Sequence, residues 1–258
     1  MLEKIGNHYA LTRMEKFPRL RLAFSTKYFG NMSLSWGDEK KVLENRGGFI
    51  QELGLSEAHF ITFWLTHSLN VAVVKDRNTG QSISDPKITF PEFDGAVTNQ
   101  KRVFFLMCSA DCLPIIYFDP KQEVIGIAHA GWKGLMGAVH LNILKIMTDE
   151  FRSDLGNIRI GLGPSIGSCC NLQKIPLVQD NLPQWRNYLK RKNDDFYRVF
   201  LNEFCRDSLI DYGIARENIE EANFCTVDNY KEFFSETAVQ GGLDKDPMGR
   251  FCTVVGMV

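Results

Sequence analysis

A chain of 258 residues with 44% hydrophobic and 24% charged residues has enough apolar content to bury a sizeable core. Its formal net charge of −1 excludes a strong electrostatic grip on nucleic acid or on an anionic membrane. No apolar run has membrane-spanning length, the first twenty residues carry Glu3, Lys4, Arg13, Glu15 and Lys16 instead of an apolar signal core, and the seven cysteines are odd in number and scattered, so a reduced, cytoplasmic protein is expected.

Residues 1–20 are weakly periodic and read as a starting strand or an arm. Arg21 to Thr26 alternates as a strand does. Asp38 to Leu53 reads as a helix capped by Asp38, with Val42, Phe49, Ile50 and Leu53 on its apolar face and Asn45 and Arg46 on the solvated side. Phe60–Leu65 and Val71–Val74 are short apolar runs with His67 between them; taken alone, such a histidine is more often structural than a ligand. Asp76 to Pro91, with Gly80 and Pro86, predicts a surface excursion, after which Asp94–Thr98 leads to the central stretch.

That stretch, Ser109 to Gly134, carries the chemistry. A β-rich run, Val103–Met107, feeds into Cys112. Ile115–Phe118 then turns through Asp119-Pro120 and returns as Val124–Ala128, which predicts a hairpin delivering His129 at its end. A glycine-punctuated turn through Lys133 and a helix over Leu135–Met147 follow, an order that makes a backbone anion site. Further on, Ile158–Leu162 predicts a strand running into a second glycine turn, Gly163 to Gly167. Phe196–Tyr212 predicts an amphipathic helix stopped by Gly213, and Asn223–Val258 holds short strand-like pieces. No repeat or long linker divides the chain, so residues 1–258 are read as a single domain.

Cys112 and His129 lie at strand ends of one sheet region, where side chains meet in the crevice that binds ligands. If His67 joins them, the set is two imidazoles and a thiolate with an open fourth position, the arrangement of catalytic zinc. Zinc there would hold Cys112 as thiolate and acidify a bound water. The same donor types occur in blue-copper sites, but five histidines (His8, His59, His67, His129 and His140) are too few for a multicopper oxidase. Without a metal, the alternative is a Cys112 nucleophile activated by His129.

The segments FSTKYFG, WGDEKKVLENR, DGAVTN, SADCLPIIYFD, IGIAHAGWKG, GLGPSIGSCC and GIARENI, then Cys225-Thr226 and Gly249-Arg250, resemble the signature blocks of the laccase-domain family. That family was named for polyphenol oxidases and includes the peptidoglycan editing factor and purine nucleoside phosphorylase/adenosine deaminase enzymes. The resemblance covers most of the chain. It implies an α/β (α+β) domain of layered mixed sheets flanked by helices, similar to the cytotoxic-necrotising-factor hydrolases. It implies His67, Cys112 and His129 as zinc ligands and catalytic centre, and a purine nucleoside with phosphate as substrates, the phosphate near Arg46, Lys133 and Lys27. Phosphorolysis and adenosine deamination are the implied activities. A Cys–His amidase in peptidoglycan precursor editing, or a metal-binding member without activity, are the alternatives. The chain departs from the family pattern at Leu65-Thr66, at Lys133, at Asn171-Leu172, and at Phe234-Ser235-Glu236-Thr237, where the family has an Arg-Arg pair. Glu236 in that block predicts weakened phosphate binding, because a carboxylate repels the anion and Lys lacks the bidentate fork of Arg.

Overall fold

A computed structural model describes residues 1–55, 59–76 and 89–258, with the backbone alone for 89–91. Its centre is a pair of β-sheets. The seven-stranded sheet runs in the order β1 (Leu2–Ile5), β2 (His8–Leu11), β3 (Leu20–Phe24), β16 (Phe251–Met257), β8 (Val103–Ser109), β4 (His59–Trp64) and β6 (Thr89–Pro91). The six-stranded sheet runs β15 (Ile219–Glu221), β11 (Arg159–Leu162), β9 (Leu113–Asp119), β10 (Val124–Ala130), β7 (Gly95–Thr98) and β5 (Val71–Val74). A small third sheet is formed by β12 (Leu172–Lys174), β14 (Phe196–Val199) and β13 (Leu189–Arg191).

The two large sheets stack through one core cluster that includes Phe24, Phe105, Met107, Ile116, Ile127, Phe251 and Val255. On the outer face of the seven-stranded sheet, Phe104, Leu106 and Val254 pack with Phe49 and Ile50 of helix α1 (Glu39–Glu52). On the outer face of the six-stranded sheet, Ile115 and Tyr117 pack with Ile143 and Met147 of α3 (Val139–Phe151) and Leu209 of α4 (Leu201–Asp211). The layers are therefore helix, sheet, sheet, helices. Consecutive residues of β8 and β9 go to opposite faces, and both faces are covered, which is why these strands read as unbroken apolar runs rather than alternating ones.

The hairpin of β9 and β10 is present with Asp119 opposite Val124. Asp38 caps α1 through a 2.9 Å bond from the Lys41 N–H to its carboxylate. The expected helix over Leu135–Met147 is instead two: α2 (Trp132–Met136) and α3, separated at Gly137-Ala138, where Ala138 has φ 63°. A Cβ on Gly137 would sit 2.3 Å from Leu69 Cδ2, so the break lets the chain pass close to the segment after His67. The helix expected over Phe196–Tyr212 begins only at Leu201; Phe196–Val199 pairs in the third sheet as β14. The arm at the start of the chain is the antiparallel pair β1 and β2. Most of the Asp76–Pro91 excursion lies outside the described residues. Among the described residues no helix is long and apolar enough to cross a membrane.

Candidate metal centre and substrate cavity

Cys112 occupies the crossover between the large sheets, after β8 and immediately before β9. In the β9–β10 register, Ala130 is opposite Leu113 and His129 opposite Pro114, so hairpin geometry brings His129 and Cys112 to one edge. The crossover turns through Asp111 in the left-handed region, φ 76°. Its carboxylate fixes that turn by accepting from Thr226 Oγ1 at 2.6 Å and from the Thr237 N–H at 2.8 Å.

His67 follows β4, also at positive φ, 58°. The fully buried Asp94 holds it there, accepting the N–H groups of Thr66 (3.2 Å), His67 (3.1 Å) and Ser68 (2.6 Å). The same carboxylate accepts from His129 Nδ1 at 2.9 Å. One side chain thus fixes the backbone of one imidazole and the tautomer of the other, leaving His129 Nε2 free as a ligand. His67 Nε2 lies 3.8 Å from Cys112 Sγ, and one donor atom from each of His67, Cys112 and His129 falls within 4.8 Å of the others. Gly131 lets this happen: a Cβ there would be 3.0 Å from Cys112 Sγ and 3.3 Å from His67 Cδ2.

The electrostatics suit a cation. Burial pushes the Cys112 thiol up, but His129 and His67 outweigh it and bring the thiol down to about 6. Burial lowers His129, while the Cys112 thiolate and Asp94 raise it further, so it is net raised. Burial also works against the Asp94 carboxylate, which His129 and the Ser68 N–H nevertheless hold below its ordinary range. Both shifts favour the thiolate form of Cys112 beside a positive charge, the place a metal ion would take. The donor types, their convergence and the carboxylate behind His129 fit a metal of the zinc class.

The centre forms part of the wall of a cavity of about 270 Å³. Its other walls include Trp36, Phe63, Trp64, Arg250 and Glu236. The Arg250 guanidinium lies 5.1 Å from the Trp36 ring centroid and bonds Glu236 Oε2 at 2.6 Å. The loop carrying Trp36 is pinned beneath: the Arg250 N–H donates to Asn31 Oδ1 (2.9 Å) and the Met32 N–H to the Arg250 carbonyl (2.9 Å).

The cations singled out in the sequence sit elsewhere. Arg46 is buried, not solvated, and its Nε donates to the Met32 carbonyl at 2.8 Å. Asn45 likewise donates to the Asn31 carbonyl at 2.8 Å, so both residues brace the cavity loop from behind. Lys27 is held by Asp244 (2.5 Å) and Asp246 (2.9 Å). Lys133 is exposed, with its ammonium 5.5 Å from the Trp132 ring centroid. None of the three lines the cavity that contains His67, Cys112 and His129. Sequence reasoning missed Asp94, Asp111 and Arg250 as site residues. Signals were present: Asp94 opens the DGAVTN block, Asp111 precedes the cysteine, and Arg250 follows a glycine just ahead of the last strand.

Comparison with known proteins agrees with this architecture. A family model described as multi-copper polyphenol oxidoreductase laccase matches residues 21–258. The purine nucleoside phosphorylase YlmD of Bacillus subtilis is 30% identical over 195 residues, which is 74% of this chain and 68% of that protein. YlmD of Geobacillus stearothermophilus is 26% identical over 235 residues, covering 88% of this chain and 82% of its own. The crystal structure of Geobacillus stearothermophilus YlmD superposes with a TM-score of 0.89 at 24% identity, covering 99% of this chain and 98% of that one. A Bacillus licheniformis hypothetical protein, YfiH, superposes with a TM-score of 0.86 at 25% identity over 100% and 99% of the two chains. The match over residues 21–258 shows that the chain belongs to the multi-copper polyphenol oxidoreductase laccase family.

Proposed function

We propose that residues 1–258 act as one zinc-dependent, cytoplasmic purine nucleoside enzyme that cleaves the N-glycosidic bond with inorganic phosphate and deaminates adenosine. The observation that carries this reading is a single cavity combining the His67, Cys112 and His129 donors with an arginine laid on a tryptophan. The relatives named purine nucleoside phosphorylases support it. The family description mentions copper, but among the described residues only two of the five histidines meet at this centre, too few for a cluster of several coppers.

His67, Cys112 and His129 would hold the zinc, which when bound supplies Lewis acidity and an acidified water. The chain's own groups do the rest. Asp94 keeps His129 Nδ1 protonated and its Nε2 aimed inward. Trp36, Phe63 and Trp64 offer aromatic surface to a purine ring. Arg250, which lines the same cavity, offers a planar fork to phosphate. Binding in a walled cavity orients the two reactants, a large part of the barrier in a bimolecular displacement.

A second reading rests on one arrangement: Cys112, His129 and Asp94 also form a thiolate, an imidazole and an orienting carboxylate, the parts of a covalent hydrolase. Nucleoside turnover with and without phosphate, before and after chelation, separates the two. Chelation is expected to abolish turnover and zinc to restore it, and His67→Ala is expected to lose activity with its fold retained. Turnover that survives chelation but ends on alkylation of Cys112 would establish the covalent reading instead.

A further inference from the structure

Three thiols and a carboxylate converge at the second glycine turn, away from the residues that line the substrate cavity. Cys169 and Cys170 follow that turn, and Cys225 and Asp228 follow β15. The two segments are joined by a parallel bridge between Ser165 and Cys225 and by a 3.0 Å bond from the Thr226 N–H to the Ser165 carbonyl. One donor atom from each of Cys169, Cys170, Cys225 and Asp228 lies within 4.8 Å of the others. Cys169 Sγ donates to Asp228 Oδ2 at 3.0 Å and Cys170 Sγ to Oδ1 at 3.2 Å, while the Gly167 N–H donates to Cys225 Sγ at 3.3 Å. All three cysteines are free. Gly167 makes the room: a Cβ would be 3.1 Å from Cys169 Sγ and 3.2 Å from Cys225 Cβ.

We propose that Cys169, Cys170, Cys225 and Asp228 form a second, structural site for a divalent metal of the zinc class. Thiolates select zinc over harder cations, and four protein donors leave no open position, which marks a structural rather than a catalytic centre. Sulfurs around a tetrahedral zinc with bonds of about 2.3 Å lie about 3.8 Å apart. The four donor atoms, all within 4.8 Å of one another, are near that spacing.

The site has a route to the cavity. Asp111, next to Cys112, accepts the Ile166 N–H at its carbonyl (2.8 Å) and the Thr226 hydroxyl at its carboxylate (2.6 Å). A metal tying 165–170 to 225–228 would therefore stiffen the two segments that hold the Cys112 turn. This inference does not depend on the proposed reaction.

The test is to titrate Zn²⁺ into reduced, metal-free full chain against a chromophoric chelator and to count equivalents by native mass spectrometry. Wild type is expected to take up two, and His67→Ala, Cys225→Ser and Asp228→Asn one each. The double variant His67→Ala/Asp228→Asn is expected to take up none. If Cys225→Ser does not fold, the exposed and nearly isosteric Asp228→Asn decides. A wild type whose single equivalent is lost in His67→Ala, or two equivalents that persist in Asp228→Asn, would overturn the proposal.

Discussion

Asp94 does with one carboxylate what two side chains could have done separately. It accepts three successive N–H groups around His67 and the Nδ1 proton of His129. In Asp94→Asn, one of the two acceptor atoms becomes an NH₂ facing donors. The expected result is a 10- to 100-fold loss of zinc affinity at the cavity centre, typical of losing a carboxylate behind a ligating histidine. Competition titration measures it, and unchanged affinity would show that Asp94 is only a buried brace. His67 joined the other two donors only through the family resemblance, whereas Cys112 and His129 were legible because they flank a hairpin whose turn is written in the sequence. Asp94 was not, because its partners are up to 35 residues away and only the fold joins them. Glu236 is a mixed case. Its expected place near the site is correct in that it lines the cavity, but it also holds Arg250. If Arg250 receives phosphate as proposed, that bond competes with it for the same guanidinium. Glu236→Gln is therefore expected to lower the phosphate KM about tenfold, the worth of one charged hydrogen bond of roughly 1.5 kcal/mol. Arg250→Ala should raise that KM and leave adenosine deamination less affected. Initial rates against phosphate concentration test both, and a KM unmoved in either variant removes Arg250 from phosphate binding.

At the scale of elements, strands were easier to read than helix boundaries. β9 and β10 are continuous apolar segments bounded by a turn, whereas the run from Leu135 to Met147 has helical spacing on both sides of a break that Gly137 alone signals. The break places α3 so that His140 packs towards α4, with its Nε2 3.2 Å from Ser208 Oγ. Ser208 spends its own proton on the Phe204 carbonyl at 2.6 Å, so it accepts from His140, and the buried His140 Nδ1 has no partner. Burial brings His140 from 6.5 down to about 4. Below pH 6.5 the unfolded chain binds a proton that the folded chain refuses, so stability falls as pH falls and the loss is complete near pH 4. The shift corresponds to about 3 kcal/mol over that window. His140→Gln keeps a donor for Ser208 and cannot titrate. Its urea stability is expected to fall less than wild type's between pH 7 and pH 4.5. Parallel pH profiles for the two proteins would locate acid sensitivity elsewhere.

For the whole molecule, the resemblance pointed to layered sheets and helices, but not to which strands are neighbours. The last strand is the clearest example: β16 lies between β3 and β8, near the middle of the larger sheet, and all seven of its residues are buried. Pairing over such separations leaves no local pattern in the sequence, since each strand shows only that it is apolar. β16 also reaches the site. Phe251 is opposite Ser109, shortly before Cys112, and Arg250 enters the cavity immediately before the strand. Its far end carries Gly256 opposite Phe104, where a Cβ would lie 2.3 Å from Phe104 Cδ1 and 2.5 Å from Cγ. The ring covers the glycine and is itself almost fully buried against α1, so it cannot move aside freely. Gly256→Ala is therefore an overpacking change, expected to cost about 1–3 kcal/mol. Each kcal/mol lowers Tm by about 2–4 °C in a chain of this size. Because Gly256 is at the opposite end of β16 from Arg250, zinc affinity at His67, Cys112 and His129 should stay as in wild type while Tm falls. Thermal melts and zinc competition on the same samples test the two halves together. An unchanged Tm would mean that the sheet gives way around Phe104 at little cost, and a parallel loss of zinc would mean that strain at one end of β16 reaches the other.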